Sequence, residues 1–249
     1  MIPAVKSAMV VPEPPQLHEG EVHIWDADLN CSNSLISELF QLLSTDEQAR
    51  AKQYRLNRDY KHYIVARAIL RKILSRYLIT EPAQISFSYN QYGKPFLKED
   101  KSEQQLMFNL SHSNGIALYA ITLGKDIGVD IEHVSSDLEY DEIANHFFSQ
   151  REASIICSLS GYMKALSFYS CWVRKEAYVK ARGDGLMMTL SQFNVTLAPG
   201  EPAALLNNQW APEDPKHWSL HDLNVGQQYI AALAVEGNPT SIKCMSWRI

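Results

Sequence analysis

Trp172-Val173-Arg174-Lys175-Glu176-Ala177-Tyr178-Val179-Lys180, continued by Ala181-Arg182-Gly183-Asp184-Gly185-Leu186, decides how the chain is read. Residues four apart share a helix face, so Glu176 and Lys180 project side by side, and the paired glycines end the helix. Alone, such a pair is what any solvated helix carries. A second run, Ile127-Gly128-Val129-Asp130-Ile131-Glu132, changes its meaning. Strand side chains alternate, so Asp130 and Glu132 face one way while Val129 and Ile131 face the core. Two carboxylates on a strand and a third on a helix make a candidate hard-oxygen site for Mg²⁺.

The chain has 249 residues, enough for one large core or two smaller ones. Hydrophobic residues at 46% and charged residues at 20% are those of a globular protein. No apolar run approaches the roughly 18 residues of a membrane span, and the proline-broken start, MIPAVKSAMVVPEPP, is too short for a secretory segment. A cytoplasmic location without a membrane partner is expected. Cys31, Cys157, Cys171 and Cys244 show neither a metal-ligand spacing nor a disulfide framework, so buried reduced thiols are expected.

The net charge of −5 hides an asymmetry. Between Asp46 and Arg76 nine Lys or Arg residues face three acids, which leaves this segment +6 and the rest of the chain −11. A basic surface on an acidic protein suits a polyphosphate ligand or an acidic protein partner better than nucleic acid. A merely solvated helix face is the plain alternative.

Glu21 to Asp28 alternates like a strand. A short helical pattern runs from Ser34 to Leu43. Ser44-x-x-Glu47 and Thr45-x-x-Gln48 fit a capping box, so a helix starts near Thr45 and carries Arg50, Tyr54 and Arg55. A longer one spans Arg58 to Leu78, where Arg67 and Arg71 share a face and either hold a phosphate or pair with acids. Gln84 to Tyr89 reads as a strand and Tyr92-Gly93-Lys94-Pro95 as a turn with an exposed lysine. Leu106 to Leu110 is a strand ending at Ser111-His112-Ser113. Ile116 to Thr122 and Ile127 to Val134 read as a hairpin. Ser149-x-x-Glu152 caps a further helix, Gly161 precedes the long one, and on that helix Trp172 and Ala177 face inward. Strand-like segments follow at 192–197, 218–223, 229–235 and 241–247, with Pro199 to Pro215 as a surface loop. The order strand, helices, strands occurs twice, with a division near residue 124.

Phe108 to Ser113 (FNLSHS), Gly128 to Glu132 (GVDIE), Phe147 to Glu152 (FFSQRE) and Trp172 to Leu186 (WVRKEAYVKARGDGL), in this order and spacing, resemble the 4′-phosphopantetheinyl transferases. They are similar to the larger, surfactin-synthetase-activating type, in which two related halves of one chain form a pseudo-dimer. The resemblance extends back to Glu47-x-x-Arg50, Tyr54-Arg55 and Ala66-Arg67-x-x-Leu70-Arg71. It implies two similar α+β halves: residues 1–124 for coenzyme A nucleotide and phosphate contacts, and 125–249 for magnesium and catalysis.

The family likeness also implies roles. Asp130, Glu132 and Glu176 match the magnesium-binding carboxylates that hold the metal against the pyrophosphate of coenzyme A. Lys180 matches the lysine that approaches the phosphates, and Glu176 is also the implied general base. Lys94, Ser111 and His112 resemble the contacts to the nucleotide end, and Arg50 and Arg67 the basic residues near its 3′-phosphate. Partners implied are coenzyme A and apo acyl or peptidyl carrier proteins, with the enzyme a monomer. Glu132 argues for the pseudo-dimeric type, because the short trimeric synthases generally lack a carboxylate there; Val173 stands where the family often has a smaller residue. Two alternatives use the same residues: a Mg²⁺-dependent phosphohydrolase or nucleotidyl transferase, and a non-catalytic module that binds coenzyme A or a carrier.

Overall fold

Two helices of 22 residues each organise the chain. The computed structural model describes residues 15–98, 105–135, 138–185, 189–198 and 200–248. Residues 1–14 and Leu186, both part of the sequence reading, lie outside the described residues.

Strand β1 (Glu21–Asp28) leads to helices α1 (Asn33–Phe40), α2 (Thr45–Ala51) and α3 (Asn57–Leu78). A small ladder of β2 (Phe87–Tyr89) and β3 (Pro95–Leu97) follows, then β4 (Leu106–Ser113) and β5 (Ile116–Leu123). The order then recurs with β6 (Ile127–His133), α4 (Tyr140–Phe147), α5 (Gln150–Ser158) and α6 (Gly161–Arg182). A second small ladder of β7 (Phe193–Val195) and β8 (Leu205–Asn208), the short α7 (Asp214–His217), β9 (Trp218–Leu223) and β10 (Tyr229–Glu236) complete the repeat, and β11 (Ser241–Trp247) comes after it. The expected α+β class with two similar halves is what the chain adopts.

The same local chemistry starts each half. Ser44 and Ser149 stand before α2 and α5, and their backbone N–H groups donate to Glu47 and Glu152 at 3.0 and 3.1 Å. Each of these carboxylates is fully buried and also receives a cation from its long helix. Arg71 reaches Glu47 Oε2 at 2.7 Å, and Lys175 reaches Glu152 Oε2 at 2.9 Å. Arg71 and Lys175 occupy the same position counted from the starts of α3 and α6. Breaking such a buried pair by removing one partner costs about 3–5 kcal/mol, so these pins fix each long helix on its short one.

The sheets are built alike, with order β1-β5-β4 in the first half and β6-β10-β9 in the second, antiparallel throughout. One core cluster lies between α3 and the first sheet, another between α6 and the second. A third, with Val22, Ile24, Leu118, Val129, Ile131 and Leu233, lies between the two sheets. Val129 and Ile131 thus face the core as their alternation requires.

Several elements differ from the sequence reading. Strand β5 does not form a hairpin with β6: both its edges are taken by β1 and β4, and β6 pairs with β10. Ile116–Leu123 is a central strand, and an apolar run names no partner. The division near residue 124 falls in the β5–β6 connection, but β11 crosses it and adds to β1 in parallel, from Glu21 opposite Ser241 to Ala27 opposite Trp247. Only Phe87–Tyr89 of the expected strand at 84–89 is paired as a strand, because Pro82 starts a 3₁₀ turn through Gln84. The expected loop up to Pro215 contains β8 and the start of α7; its Asn-rich strand has little of the apolar alternation that marks one. Cys171 and Cys244 are buried free thiols, whereas Cys31 and Cys157 are half-buried. No helix among the described residues is long and apolar enough to cross a membrane.

Candidate active site

Gly128 sets the site. A Cβ on it would fall 2.1 Å from the Ala177 carbonyl oxygen and 2.4 Å from the Ala181 nitrogen. Only glycine lets β6 touch the backbone of α6 there, and Ala177 and Ala181 are small and fully buried for the same reason. Glu176 and Lys180 flank these alanines, and Asp130 lies two residues beyond Gly128 on the same strand face. Lys180 Nζ consequently sits 2.6 Å from Asp130 Oδ1.

The other wall is β4. It lies beside β6, running in the same direction, and its alternate side chains make the bonds that a backbone ladder would make. Asn109 Oδ1 accepts from the Val129 N–H at 2.9 Å. Ser111 Oγ donates to Asp130 Oδ1 at 2.8 Å and accepts from Lys180 Nζ at 2.9 Å. Ser113 Oγ donates to Glu132 Oε2 at 2.9 Å and accepts from the His133 N–H at 3.1 Å. These three β4 side chains fix the two halves in register where the carboxylates stand.

The acids repel one another. Burial raises the pKa of Glu176, as does the charge of Asp130, with Lys180 opposing and Glu132 adding to the rise. Burial likewise raises Glu132, followed by Asp130, against the Ser113 hydrogen bond and Lys180. Asp130 is only 3% exposed, and its Oδ2 is buried without a hydrogen-bond partner. An orphaned acceptor of this kind is costly unless something unseen satisfies it. As the side chains stand, no three acids or histidines among the described residues surround one point, and Lys180 is the cation that Asp130 holds. The donor chemistry fits a divalent hard cation: all-oxygen ligands, an unsatisfied Oδ2, and mutual repulsion that such an ion would relieve.

Two adjoining cavities meet at Glu176 and Lys180. The first, about 480 Å³, is polar and takes its walls from both halves. The expected residues Arg50, Arg67, Ser111, His112, Asp130, Glu132, Glu176 and Lys180 all line it. The second, about 660 Å³, is more apolar, with Leu110, Phe147, Trp172, Val179 and Leu190 in its walls beside Lys94.

The expected nucleotide contacts are not all free. Arg67 is buried, with Nε 2.7 Å and Nη2 2.6 Å from Glu47 Oε1, and it also donates to the Tyr89 hydroxyl at 3.1 Å. Arg67 and Arg71 therefore pair with an acid, one of the two readings their spacing allowed. Arg50 is exposed on the cavity wall. His112 stands at the mouth, where desolvation and then the Lys180 charge hold its pKa below the ordinary value. Lys94 is not an open lysine: its Nζ donates to the Ala181 carbonyl at 2.7 Å, and burial lowers its pKa. Ala177 is core, but Trp172 is only half-buried; it stacks on Phe168 with centroids 6.1 Å apart and walls both cavities.

The sequence assigns no role to Asn109 and Ser113 within FNLSHS, although the small polar residues that alternate along Phe108 to Ser113 are a visible signal for one. Tyr54, part of the Tyr54-Arg55 resemblance, lies beyond the end of α2 rather than on it, and its ring stands 5.3 Å from that of Tyr63 in the polar cavity; Tyr63 gives no signal beyond its aromaticity. At the α3 positions that correspond to Glu176 and Lys180 stand Lys72 and Arg76, so the first long helix offers no matching carboxylate.

Residues 126–234 match the model of the 4′-phosphopantetheinyl transferase superfamily, and residues 28–122 match that of the 4′-phosphopantetheinyl transferase N-terminal region. The chain is 38% identical over 229 residues to 4′-phosphopantetheinyl transferase HetI of Nostoc sp. (strain PCC 7120), covering 91% of this chain and 93% of that one. It belongs to the 4′-phosphopantetheinyl transferase superfamily. Identity is 31% over 166 residues to 4′-phosphopantetheinyl transferase gsp of Aneurinibacillus migulanus, covering 65% of this chain and 66% of the relative. With 4′-phosphopantetheinyl transferase Sfp of Bacillus subtilis (strain 168) it is 28% over 155 residues, covering 62% and 66%. The superfamily member described here is a transferase, and its likeness to Sfp and HetI is to the larger, two-part type.

Proposed function

We propose that this enzyme moves the phosphopantetheine arm of coenzyme A to a serine of an apo acyl or peptidyl carrier protein, with Mg²⁺, and releases 3′,5′-ADP. The observation that carries the reading is the Asp130, Lys180 and Ser111 cluster, with its orphaned Oδ2, at the junction of a polar and an apolar cavity. The polar side suits the nucleotide and pyrophosphate, with Arg50, Ser111 and His112 as its contacts and Arg67, already paired with Glu47, as part of its wall. Lys94 joins them through its stem and the backbone of its turn, since its ammonium is already bonded.

Asp130, Glu132 and Glu176 would hold magnesium, which when bound neutralises pyrophosphate charge. The chain's own groups do the rest. Lys180 carries a positive charge beside the reacting phosphate and stabilises charge that develops there. Glu176, whose burial makes it hold a proton more tightly than an ordinary glutamate, accepts the proton of the attacking serine hydroxyl. The serine oxygen forms a bond to phosphorus as the bond to the 3′,5′-ADP oxygen breaks, and the proton passes to Glu176. Walls from both halves of one chain support a monomer as the working unit.

The test is chromatography of the nucleotide products. Formation of 3′,5′-ADP that requires an apo carrier, mole for mole with carrier consumed, is expected. Equal 3′,5′-ADP release without any carrier would make the protein a hydrolase.

A further inference from the structure

A turn from the first half is bolted to the end of the catalytic helix. Helix α6 ends at Gly183, whose φ of +72° is left-handed and whose N–H closes on the Val179 carbonyl. The last carbonyls of any helix have no partner inside it. Here two are taken from across the molecule. Asn90 Nδ2 donates to the Gly183 carbonyl at 2.8 Å, and Lys94 Nζ donates to the Ala181 carbonyl at 2.7 Å and the Ile127 carbonyl at 3.4 Å. A cation at a helix C-terminus also meets the negative end of the helix dipole.

The turn is built for this. Asn90 Oδ1 accepts from the Tyr92 and Lys94 N–H groups at 2.9 and 3.0 Å, which leaves its amide N–H to reach α6. Gly93, at φ +87°, makes the bend. A Cβ on Gly183 would lie 3.1 Å from Lys94 Cδ and 3.2 Å from Asn90 Nδ2, so glycine serves both the left-handed cap and the close approach. Asp126, 3.8 Å from Lys94 Nζ, joins the turn to the start of β6. The same turn thus touches both elements that carry the site.

We propose that Asn90 and Lys94 are positioning residues: they cap α6 in trans and hold Lys180 and Glu176 in the register that brings them to Asp130. Asn90 lines neither cavity, so its side chain acts through the helix end and the turn that it bonds. The kinetic part of the test rests on the transfer reaction proposed above; the structural part does not.

The experiment compares Asn90→Ala and Lys94→Met with wild type by hydrogen exchange of the free protein and by steady-state transfer from coenzyme A. Exchange in the last turn of α6, about residues 178–184, is expected to quicken about tenfold or more in both variants while α3 is unchanged. In Asn90→Ala, kcat is expected to fall about tenfold with the KM for coenzyme A within about twofold of wild type, the mark of misplaced catalytic groups. If Asn90→Ala leaves both exchange and kcat unchanged, the proposal is wrong. It is equally wrong if Lys94→Met raises KM alone with exchange unaltered, because Lys94 then acts as a direct ligand contact. Should wild type transfer nothing to any carrier, the reaction reading fails and the exchange result still decides the cap.

Discussion

Lys180 Nζ and Asp130 Oδ1 lie 2.6 Å apart, and the side chain of Asp130 is nearly closed to solvent while that of Lys180 is about one-third open. The contact joins α6 to β6 across the Gly128 approach. It also sets a balance: Asp130 tolerates burial because a cation is at hand, and that cation lines the polar cavity in which the proposed reaction places a phosphate.

Removing the cation should therefore harm both stability and activity. Lys180→Met leaves Asp130 buried and uncompensated, at a cost of about 2 kcal/mol, below that of a fully enclosed pair because the lysine side is open. The double variant Asp130→Asn/Lys180→Met should unfold at a higher temperature than Lys180→Met alone, since the stranded charge is gone. Thermal denaturation of the four proteins in the cycle measures this. A double variant less stable than both single variants would deny the coupling.

The raised pKa values of Glu132 and Glu176 give a pH dependence with a definite sign. Folding binds their protons more tightly than the unfolded chain does, so ionisation opposes folding. Their share of stability is present below the ordinary glutamate value of 4.5 and is lost as pH rises through the higher folded values. Glu176→Gln should then melt above wild type at pH 7 without magnesium, the gap closing toward pH 4. Its transfer activity should fall at least 100-fold, as the general-base role proposed for Glu176 requires.

Gly128→Ala should be among the most damaging small changes. Its methyl would meet backbone at 2.1 Å, which no rotamer change relieves, so a loss of about 3 kcal/mol or more and of nearly all activity is expected. Gly124→Ala is the control. At φ +61° with nothing within 4 Å, it should cost only the left-handed backbone penalty of about 1–2 kcal/mol. Denaturant titration distinguishes the two.

Ser113 touches Glu132 and the His133 N–H, and it lines neither cavity. On the magnesium role proposed for Glu132, Ser113→Ala should raise the magnesium concentration for half-maximal activity about tenfold, because it frees that carboxylate from its support. Titration of activity against magnesium gives the number; an unchanged midpoint would remove Ser113 from the account of the site.

What the sequence made legible were features whose partners lie close along the chain. The capping boxes at Ser44 and Ser149 and the two long helices follow from local spacing, and so do the shared faces of Asp130 with Glu132 and of Glu176 with Lys180. Long-range pairing was less legible. Nothing in Ile116–Leu123 says that its edges go to β1 and β4, and nothing in Ser241–Trp247 says that it returns to β1. Lys94 read as exposed because its partner, the Ala181 carbonyl, is 87 residues away and is a group every residue has. The bond from Asn90 to Gly183 was hidden for the same reason.

The most direct measurement is intact-protein mass spectrometry of an apo carrier protein incubated with this protein, coenzyme A and Mg²⁺, beside an EDTA control. A gain of one phosphopantetheine mass on the carrier serine, absent with EDTA and absent for Asp130→Ala, is the expected result. No gain on any apo acyl, peptidyl or polyketide carrier, or full modification by Asp130→Ala, would contradict the transfer and the role of its carboxylates.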